Sequence, residues 1–159
     1  MFLEPNYNLD SIYDIDIAEL KSIGIQGLFF DLDSTLMKSK SGKFSFQTVQ
    51  FLNDLKSNFK LAIITNNKKQ SYIKKTKSQT DIPVYDTAAK PDTKVLLKAC
   101  RDLELEPTKV AMVGDRPLSD ILGGQRAGMT TILVDSISKD EETPIVRFAR
   151  FLERLTIKR

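Results

Sequence analysis

The stretch that decides the fold is GLFFDLDST, residues 27–35. Its first part, residues 27–32, is a short and nearly continuous apolar run, which is typical of a strand buried on both faces of a parallel sheet. Asp31, Asp33 and Thr35 stand at alternate positions at its end. The stretch therefore predicts a strand buried on both faces of an α/β sheet, with two carboxylates at its carboxyl end.

The rest of the chain continues this alternation of strands and helices. Four further strands are predicted at residues 61–65, 83–86, 109–114 and 130–134. Helices are predicted over residues 46–59, 68–77, about 91–103 with Pro91 as the opening residue, 118–127 and 144–155. Strands separated by helices pair in parallel through right-handed crossovers. The expected fold is α/β, a single doubly wound parallel sheet with helices on both faces.

We expect one domain, residues 1–159, with a short acidic lead-in over residues 1–20 and a basic C-terminal helix over residues 144–159. No apolar run approaches the roughly 20 residues that a membrane-spanning helix needs. The N-terminus also lacks the basic start and apolar stretch of a secretory signal. These features predict a cytoplasmic protein.

The sequence contains no histidine and one cysteine, Cys100. This composition excludes Ser-His-Asp and Cys-His catalysis, histidine-ligated zinc and an internal disulfide. Catalysis must rest on carboxylates, hydroxyls, lysine and arginine. Carboxylate oxygens suit a hard cation such as Mg²⁺.

Polar residues follow each of the first four predicted strands. Ligands bind at the carboxyl ends of the strands in open parallel sheets, so these residues are expected to meet at one edge. They are Asp31, Asp33, Thr65, Asn66, Asn67, Lys90, Asp115 and Asp120. Each by itself has an ordinary explanation as a helix cap, a turn former or a solvated lysine. Together they predict a pocket in which a divalent cation offsets the carboxylates and a hydroxyl and a lysine hold a phosphate.

The order of these residues resembles the motifs of the haloacid-dehalogenase (HAD) superfamily. DLDST, residues 31–35, matches the first motif of that superfamily. Thr65 matches the second motif, Lys90 the third, and GDRPLSD, residues 114–120, the fourth. The conjunction of types, order and strand-end placement is far more specific than any single residue.

The resemblance extends beyond the motifs. NLDSIYDIDIAELKSIGIQGLFFDLDSTL, residues 8–36, and GDRPLSDILGGQRAGMTTILV, residues 114–134, look like the small bacterial YqeG-type branch. That branch is similar to the phosphatidylglycerophosphate phosphatases of mitochondria and plastids. Ser34 and Gln125 depart from the pattern, since asparagine is expected at both positions in many members.

The resemblance implies a catalytic role for each matched residue. Asp31 is the implied nucleophile, which becomes an aspartyl-phosphate. Asp33 is the implied acid that protonates the leaving oxygen and then activates water. Thr65, Asn66 and Lys90 are the residues implied to hold the phosphoryl oxygens.

The resemblance also implies a Mg²⁺ site. Its ligands are expected to be Asp31, the backbone carbonyl of Asp33, and Asp115, with Asp120 close behind. The implied enzyme is a hydrolase, a magnesium-dependent phosphatase of phosphomonoesters.

The spacing of the motifs leaves no room for a cap domain over the site. Only 31 residues separate Asp33 from Thr65, and 24 separate Thr65 from Lys90. An inserted domain of ~50 residues cannot fit in either interval. An open site admits a phosphate on a lipid head group, including phosphatidylglycerophosphate, as well as a small soluble phosphometabolite.

Two alternatives stay open for the last predicted helix. Phe148, Phe151, Leu152 and Leu155 form its apolar face, and basic residues surround that face. The apolar face either packs on the sheet or lies on an anionic bilayer, which would make the protein peripheral at a membrane.

Two non-catalytic functions compete with the phosphatase. A phospho-accepting receiver module shares the clustered Asp, Thr and Lys, but its acid pair and its phosphorylated Asp come from different strands. An RNA-binding module could use the lysine-rich segment 68–77 and the basic C-terminal tail. Asp33 has a use only in turnover, so we expect an enzyme with a phosphorylated substrate and no nucleic-acid partner.

Overall fold

The computed structural model describes residues 3–138 and 143–157. Its strands are β1 (Tyr7–Leu9), β2 (Gly27–Phe30), β3 (Lys60–Ile64), β4 (Val84–Tyr85), β5 (Val110–Gly114) and β6 (Thr130–Val134). All pairings between them are parallel, and the order across the sheet is β1-β6-β5-β2-β3-β4.

The described residues contain six α-helices, which connect or follow these strands. They are α1 (Ile17–Ser22), α2 (Phe46–Leu55), α3 (Gln70–Lys77), α4 (Lys94–Asp102), α5 (Leu122–Arg126) and α6 (Pro144–Arg154). A π-helical turn, Pro117–Ile121, precedes α5 directly. Local capping explains several helix starts; the side chain of Ser45, for example, accepts a hydrogen bond from the backbone N–H of Thr48 at 3.1 Å.

The sheet separates two hydrophobic cores. Leu28 and Phe30 of β2 point into one core together with residues of α1 and α2. Phe29, between them, points into the other core, which Leu96 and Ala99 of α4 complete. Successive side chains of a strand face opposite sides, so a strand buried on both sides is apolar throughout. The prediction of a doubly wound sheet with helices on both faces is confirmed.

The strand order reverses at the centre of the sheet. From β2 the chain proceeds outward through β3 and β4, and then returns to place β5 on the other side of β2. Beyond β5 it proceeds outward again to β6. Such a switch point opens a crevice at the carboxyl ends of the two neighbouring strands. The crevice therefore lies between β2 and β5.

The edge strand β1 was not predicted from the sequence. The acidic segment 1–20, expected as a lead-in, instead supplies β1 and most of α1. Tyr7 of β1 is paired with Ile132 of β6. The strand is only three residues long and half exposed, so the periodic pattern that reveals a strand is too short to detect.

Two helix starts also differ from expectation. Helix α4 begins at Lys94 rather than at Pro91, and the peptide bond between Lys90 and Pro91 is cis. The side chain of Asp92 accepts a hydrogen bond from the N–H of Lys94 at 2.8 Å, so the turn before the helix is held by an aspartate. The helix predicted over residues 118–127 begins with the π-helical turn.

Helix α6 contradicts the interpretation in which its apolar face packs on the sheet. Its one buried residue is Glu153. Phe148, Phe151, Leu152 and Leu155 are all exposed. The arginine-bearing side of the helix faces the protein instead, because Arg150 and Arg154 bond to groups at the ends of β5 and β6.

Within the described residues, no helix combines the length and the apolar character needed to cross a bilayer. Nor does this part of the chain contain a domain inserted between the strands, since each interval is filled by the elements already named.

We expect Asn6→Ala to destabilise the attachment of β1. The side chain of Asn6 accepts hydrogen bonds from the backbone N–H and the hydroxyl of Thr131, at 2.9 and 3.2 Å. Removing it leaves a donor of a fully buried threonine without its partner, which costs about 1–3 kcal/mol. Chemical denaturation measures this loss. Asn8→Ala, an exposed change on β1 itself, is the control, and equal losses for both variants would contradict the prediction.

Candidate active site

The predicted residues meet at the carboxyl ends of β2, β3 and β5. They surround a cavity of about 570 Å³. Among the residues that line it are Asp31, Asp33, Thr65, Asn66, Asn67, Asp115 and Arg150. Lys90 and Asp120 lie behind this wall, fully enclosed by the protein.

The turn after β2 places Asp31 and Asp33. The N–H of Asp31 donates to the carbonyl of Val113 at 3.0 Å, which continues the β2–β5 pairing up to the site. After Asp33 the chain reverses through Ser34, whose φ of 67° lies in the left-handed region. Asparagine tolerates that region better than most residues, which explains the asparagine expected at position 34 in related chains.

Lys90 is the central positive charge of the site. Its ammonium donates to Asp31 at 2.9 Å, to Asp120 at 2.7 Å and to the carbonyl of Ile64 at 2.7 Å. Its side chain is 1 % exposed. A buried ammonium is tolerated only when paired and fully hydrogen-bonded, and all three donors of Lys90 are used.

Asp120 depends on a glycine and on the π-helical turn. A Cβ at Gly114 would lie 2.2 Å from a carboxylate oxygen of Asp120, so only glycine leaves room for that side chain. The other oxygen faces Lys90, and the N–H of Arg116 donates to the first at 3.1 Å. Single π-helical turns often mark functional sites, and this one points the carboxylate of Asp120 back under β5.

Asp115 is held from two sides. The hydroxyl of Thr35 donates to one of its oxygens at 3.0 Å, and the guanidinium of Arg150 from α6 pairs with the other. The contact with Arg150 brings the C-terminal helix to the site.

Asp31, Asp115 and Asp120 form an acidic cluster. Each offers one oxygen atom, and these three atoms lie within 4.8 Å of one another. The cluster contacts two cations, Lys90 and Arg150. When all three carboxylates are ionised they outnumber the two cations, and the resulting negative charge favours binding of a cation that prefers oxygen ligands.

Burial of the carboxylates in the acidic cluster raises their pKa values. Burial raises the pKa of Asp31 to about 6; Asp115 adds to the shift and Lys90 opposes it. Burial and then Asp31 raise the pKa of Asp120 to about 6, again opposed by Lys90. Burial would lower the pKa of Lys90, but the two carboxylates overcome that effect and raise it. Lys90 therefore stays protonated.

Asp33 stands apart from the acidic cluster. One oxygen of its carboxylate accepts a hydrogen bond from the hydroxyl of Tyr72 at 2.5 Å and from the N–H of Lys40 at 3.3 Å. Tyr72 comes from α3. The position of Asp33 beside the cavity, away from Lys90, separates it chemically from Asp31.

Thr65 and Asn66 occupy the end of β3. Thr65 is buried, and its hydroxyl accepts from the N–H of Asn67 at 3.1 Å. The amide of Asn66 bonds to both the N–H and the carbonyl of Lys90, at 2.8 and 3.0 Å. In this arrangement the Asn66 side chain positions Lys90; its role as a phosphate ligand stays a prediction.

Neither Tyr72 nor Arg150 was predicted from the sequence to be a site residue. Tyr72 carries no motif, and its contact with Asp33 arises only when α3 folds back beside the turn after β2. Arg150 lies in the C-terminal helix that the sequence predicts only as basic. The amphipathic pattern of α6 predicts that its apolar side is buried, so the sequence gave no sign that its arginines face the protein.

Two relatives align with nearly the whole chain. The "Probable phosphatase YqeG" of Bacillus subtilis (strain 168) is 30% identical over 154 residues, which cover 96% of this chain and 88% of that protein. The "Phosphatidylglycerophosphate phosphatase 1, chloroplastic/mitochondrial" of Arabidopsis thaliana is 28% identical over 167 residues, which cover 99% of this chain. The chain spans 48% of the length of that second relative.

Solved structures show the same fold. A HAD phosphatase from Thermococcus onnurineus matches with a TM-score of 0.58 at 17% identity, over 75% of this chain and 89% of its own. An uncharacterized protein from Listeria monocytogenes serotype 4b also reaches 0.58, at 22% identity, over 69% of this chain and 78% of its own. The family model described as HAD-hyrolase-like matches residues 87–155.

The fold, the cluster at the switch point and these similarities define the class of this protein: it is a hydrolase of the HAD superfamily. Within that superfamily the chain belongs to the YqeG-type phosphatases, and it is similar to the phosphatidylglycerophosphate phosphatases. The protein is therefore a phosphatase.

We expect Lys90→Met to be strongly destabilising in the absence of added cations. It leaves Asp31 and Asp120 without their buried partner, and breaking a buried pair costs about 3–5 kcal/mol. Adding Asp120→Asn to this variant should recover part of the loss, since one uncompensated charge is removed. The measurement is the free energy of unfolding in denaturant.

Lys98→Met is the matched control for this prediction. Lys98 pairs with Asp102 on the surface of α4, where an ion pair contributes about 0–1 kcal/mol. A Lys90→Met protein no less stable than Lys98→Met would contradict the account of the buried charge.

Proposed function

We propose that this enzyme is a magnesium-dependent phosphomonoester phosphatase that acts through an aspartyl-phosphate on Asp31. The observation that carries the proposal is the pair of carboxylates on one turn after β2. Asp31 lies against Lys90 in the acidic cluster, and Asp33 lies outside it under Tyr72. Two carboxylates in different environments are what a nucleophile and a proton donor require.

The donor set supports Mg²⁺ as the cofactor. The acidic cluster offers oxygen ligands from Asp31 and Asp115 in front and Asp120 behind, and the backbone carbonyl of Asp33 is the further proposed ligand. Bound there, Mg²⁺ supplies charge neutralisation for the transferring phosphoryl group. Both carboxylate oxygens of Asp120 already accept hydrogen bonds, one from Lys90 and one from the N–H of Arg116. This favours Asp120 as a residue that orients the site and not as a direct ligand of Mg²⁺.

The protein's own residues divide the reaction between them. A carboxylate oxygen of Asp31 attacks phosphorus, and the bond from phosphorus to the ester oxygen breaks. Asp33 gives its proton to that leaving oxygen, and then takes a proton from the water that hydrolyses the aspartyl-phosphate. With its pKa at about 6, Asp31 is mostly ionised at neutral pH and ready to attack.

Binding residues hold the phosphoryl group in line for these steps. Thr65 and Lys90 are proposed to donate to its oxygens, with Asn66 beside them. For this, Lys90 is proposed to exchange its hydrogen bond to Asp31 for one to a phosphoryl oxygen. A carboxylate is a weak nucleophile, so alignment and charge must supply the rate, and positioning can account for roughly 7–11 kcal/mol of a barrier. Lys90 is well suited to this role because protein groups, and not solvent, hold its ammonium in position.

A phosphate carried on a lipid head group is the substrate that we propose. The cavity is not covered by an inserted domain in the described residues, and one aligned relative is named as a phosphatidylglycerophosphate phosphatase. A cytoplasmic enzyme peripheral at the membrane fits such a substrate. A small soluble phosphometabolite is the alternative, and the basic helix α3 gives no reason to invoke nucleic acid.

We expect Asp31→Asn to abolish turnover and Asp33→Asn to reduce it by roughly 10²–10⁴-fold, the usual contribution of a positioned acid. The measurement is phosphate release from an aryl phosphate with Mg²⁺. Asp92→Asn, an exposed change on the loop before α4, should leave the rate unchanged. Phosphate release by Asp31→Asn equal to that of the wild type would refute the proposed nucleophile.

The lipid assignment is tested separately with the wild-type protein. Phosphatidylglycerophosphate in detergent should be hydrolysed with a higher kcat/KM than soluble phosphomonoesters of similar charge. If soluble esters are hydrolysed as well or better, the substrate is a small phosphometabolite. The lipid assignment is then wrong, and the proposed aspartyl-phosphate mechanism is unaffected.

We expect Arg150→Gln to tighten Mg²⁺ binding. The guanidinium of Arg150 pairs with Asp115, so it offsets the negative charge that a cation would use. Removing this positive charge removes its repulsion of Mg²⁺. In a partly buried site the repulsion between two close charges changes the affinity by about tenfold, so the Mg²⁺ affinity should rise by that factor. Calorimetric titration of the metal-free protein measures this. Arg101→Gln, an exposed change on α4, is the control, and weaker binding by Arg150→Gln would mean that Arg150 organises the site instead.

A further inference from the structure

Helix α6 is attached to the protein by its polar side. Arg150 pairs with Asp115 at the site, and Glu153 accepts a hydrogen bond from the side chain of Arg116 at 2.6 Å. Large apolar residues occupy the opposite side at helical spacing. Their exposed fractions are 82% for Ile145, 61% for Phe148, 57% for Phe151, 48% for Leu152 and 53% for Leu155. We call these five residues the α6 apolar face.

The orientation of α6 is the reverse of that of an ordinary surface helix. Amphipathic helices of globular proteins bury their apolar stripe and expose their charged residues. Here the buried residue is Glu153, and the apolar face points away from the protein. Four exposed large apolar side chains on α6, and Leu155 directly after it, form a contiguous patch, and such patches mark interaction sites.

The α6 apolar face lies beside the opening of the active site. Val146 and Arg150 of the same helix line the cavity that contains Asp31 and Asp115. Anything that covers the α6 apolar face is therefore brought next to the cavity where the phosphate is cleaved.

The rim of the cavity is basic. Segments 34–45, 66–69, 116–119 and 143–152 form the loops after β2, β3 and β5 and most of α6. Three basic residues among them, Lys40, Arg116 and Arg150, line the cavity, and Arg116 and Arg150 are paired with Glu153 and Asp115. The same segments carry five further basic residues, Lys38, Lys43, Lys68, Lys69 and Arg147, and no carboxylate; Asp86, after β4, bonds to Gln70 at the start of α3. Asp135, after β6, is paired with Arg154 at 3.5 Å. The acidic residues 140–142 lie outside the described residues.

We propose that α6 docks this enzyme on an anionic phospholipid bilayer. The α6 apolar face enters the boundary between head groups and acyl chains, and the basic rim faces the lipid phosphates. This inference rests on the proposed function, since docking serves the site only if the cleaved phosphate is carried by a lipid. Interfacial helices combine an apolar face with basic residues at its borders in this way.

The size of the face favours a bilayer over a second copy of the chain. A helix of 11 residues is about 16 Å long and about 10–12 Å across. A stable protein interface buries about 800 Å² on each partner, which one side of so short a helix does not supply. A bilayer needs no such area, because the attraction of the basic residues for anionic lipid adds to the insertion of the apolar side chains.

Co-sedimentation with vesicles tests the proposal. The wild-type protein should bind vesicles of phosphatidylcholine mixed with phosphatidylglycerol, less as salt is raised, and bind little to phosphatidylcholine alone. Phe148→Ser combined with Phe151→Ser should lower the partition coefficient by about tenfold or more. Ile23→Ser is the control, because Ile23 is also exposed (48%) but follows α1, at the edge of the sheet opposite the site.

The charge contribution has its own matched pair of variants, one pair just before α3 and one within it. Lys68→Gln with Lys69→Gln, directly before the helix and next to Asn67 of the cavity lining, should weaken binding by about tenfold. Lys74→Gln with Lys77→Gln makes the same change in charge at the far end of that helix, away from the rim, and should have a much smaller effect. Equal losses for the two pairs would mean non-specific attraction and would overturn the proposed orientation.

Binding and catalysis are measured independently. Asp31→Asn should bind vesicles as the wild type does, and the variant with Phe148→Ser and Phe151→Ser should release phosphate from a soluble aryl ester at the wild-type rate. Failure of aryl-ester hydrolysis by the wild type defeats the proposed function but not the docking.

Two outcomes defeat the docking itself. One is vesicle binding by the wild type that is absent, or that is unchanged by the two serine substitutions. The other is a wild-type dimer in analytical ultracentrifugation that those substitutions convert to a monomer, which would assign the α6 apolar face to a second copy.

Discussion

The ammonium of Lys90, enclosed between the carboxylates of Asp31 and Asp120, is the interaction on which the rest of this structure depends. Burying an unpaired carboxylate is costly, and the fold brings three of them together at the switch point of the sheet. Lys90 makes this arrangement tolerable because its three donors are all used. The amide of Asn66 fixes the backbone of Lys90 in turn, so the end of β3 holds the charge that the ends of β2 and β5 require.

The negative charge of Asp115 determines how the C-terminal helix α6 is oriented. Lys90 does not pair with Asp115, and Arg150 reaches in from α6 to do so. This pairing turns the arginines of α6 toward the site and its apolar residues toward the outside. The orientation of the C-terminal helix is therefore a consequence of the electrostatics of the active site. Hydrophobic burial, which orients most surface helices, does not decide it here.

The motif residues could be predicted because strand ends are local features. An apolar run ending in Asp31 predicts both a buried strand and a carboxylate at its end, and the same holds for Thr65 after β3 and Asp115 after β5. The topology of a parallel sheet then brings those ends together. Tyr72 was missed for the opposite reason: its contact with Asp33 spans 39 positions and involves two segments without a shared pattern. The strand β1 was missed because three residues carry too little periodicity.

By itself the sequence determined the α/β class, the central buried strand and the set of carboxylates, hydroxyl and lysine available for phosphate chemistry. It also excluded every mechanism that needs histidine. Periodicity and composition are local, so they identify what each segment contains. Tertiary structure decided that Lys90 lies beneath the carboxylates, that Gly114 leaves room for Asp120, and that α6 shows its apolar side outward. These are choices between faces and partners, and they depend on charges and atoms brought together from distant parts of the chain.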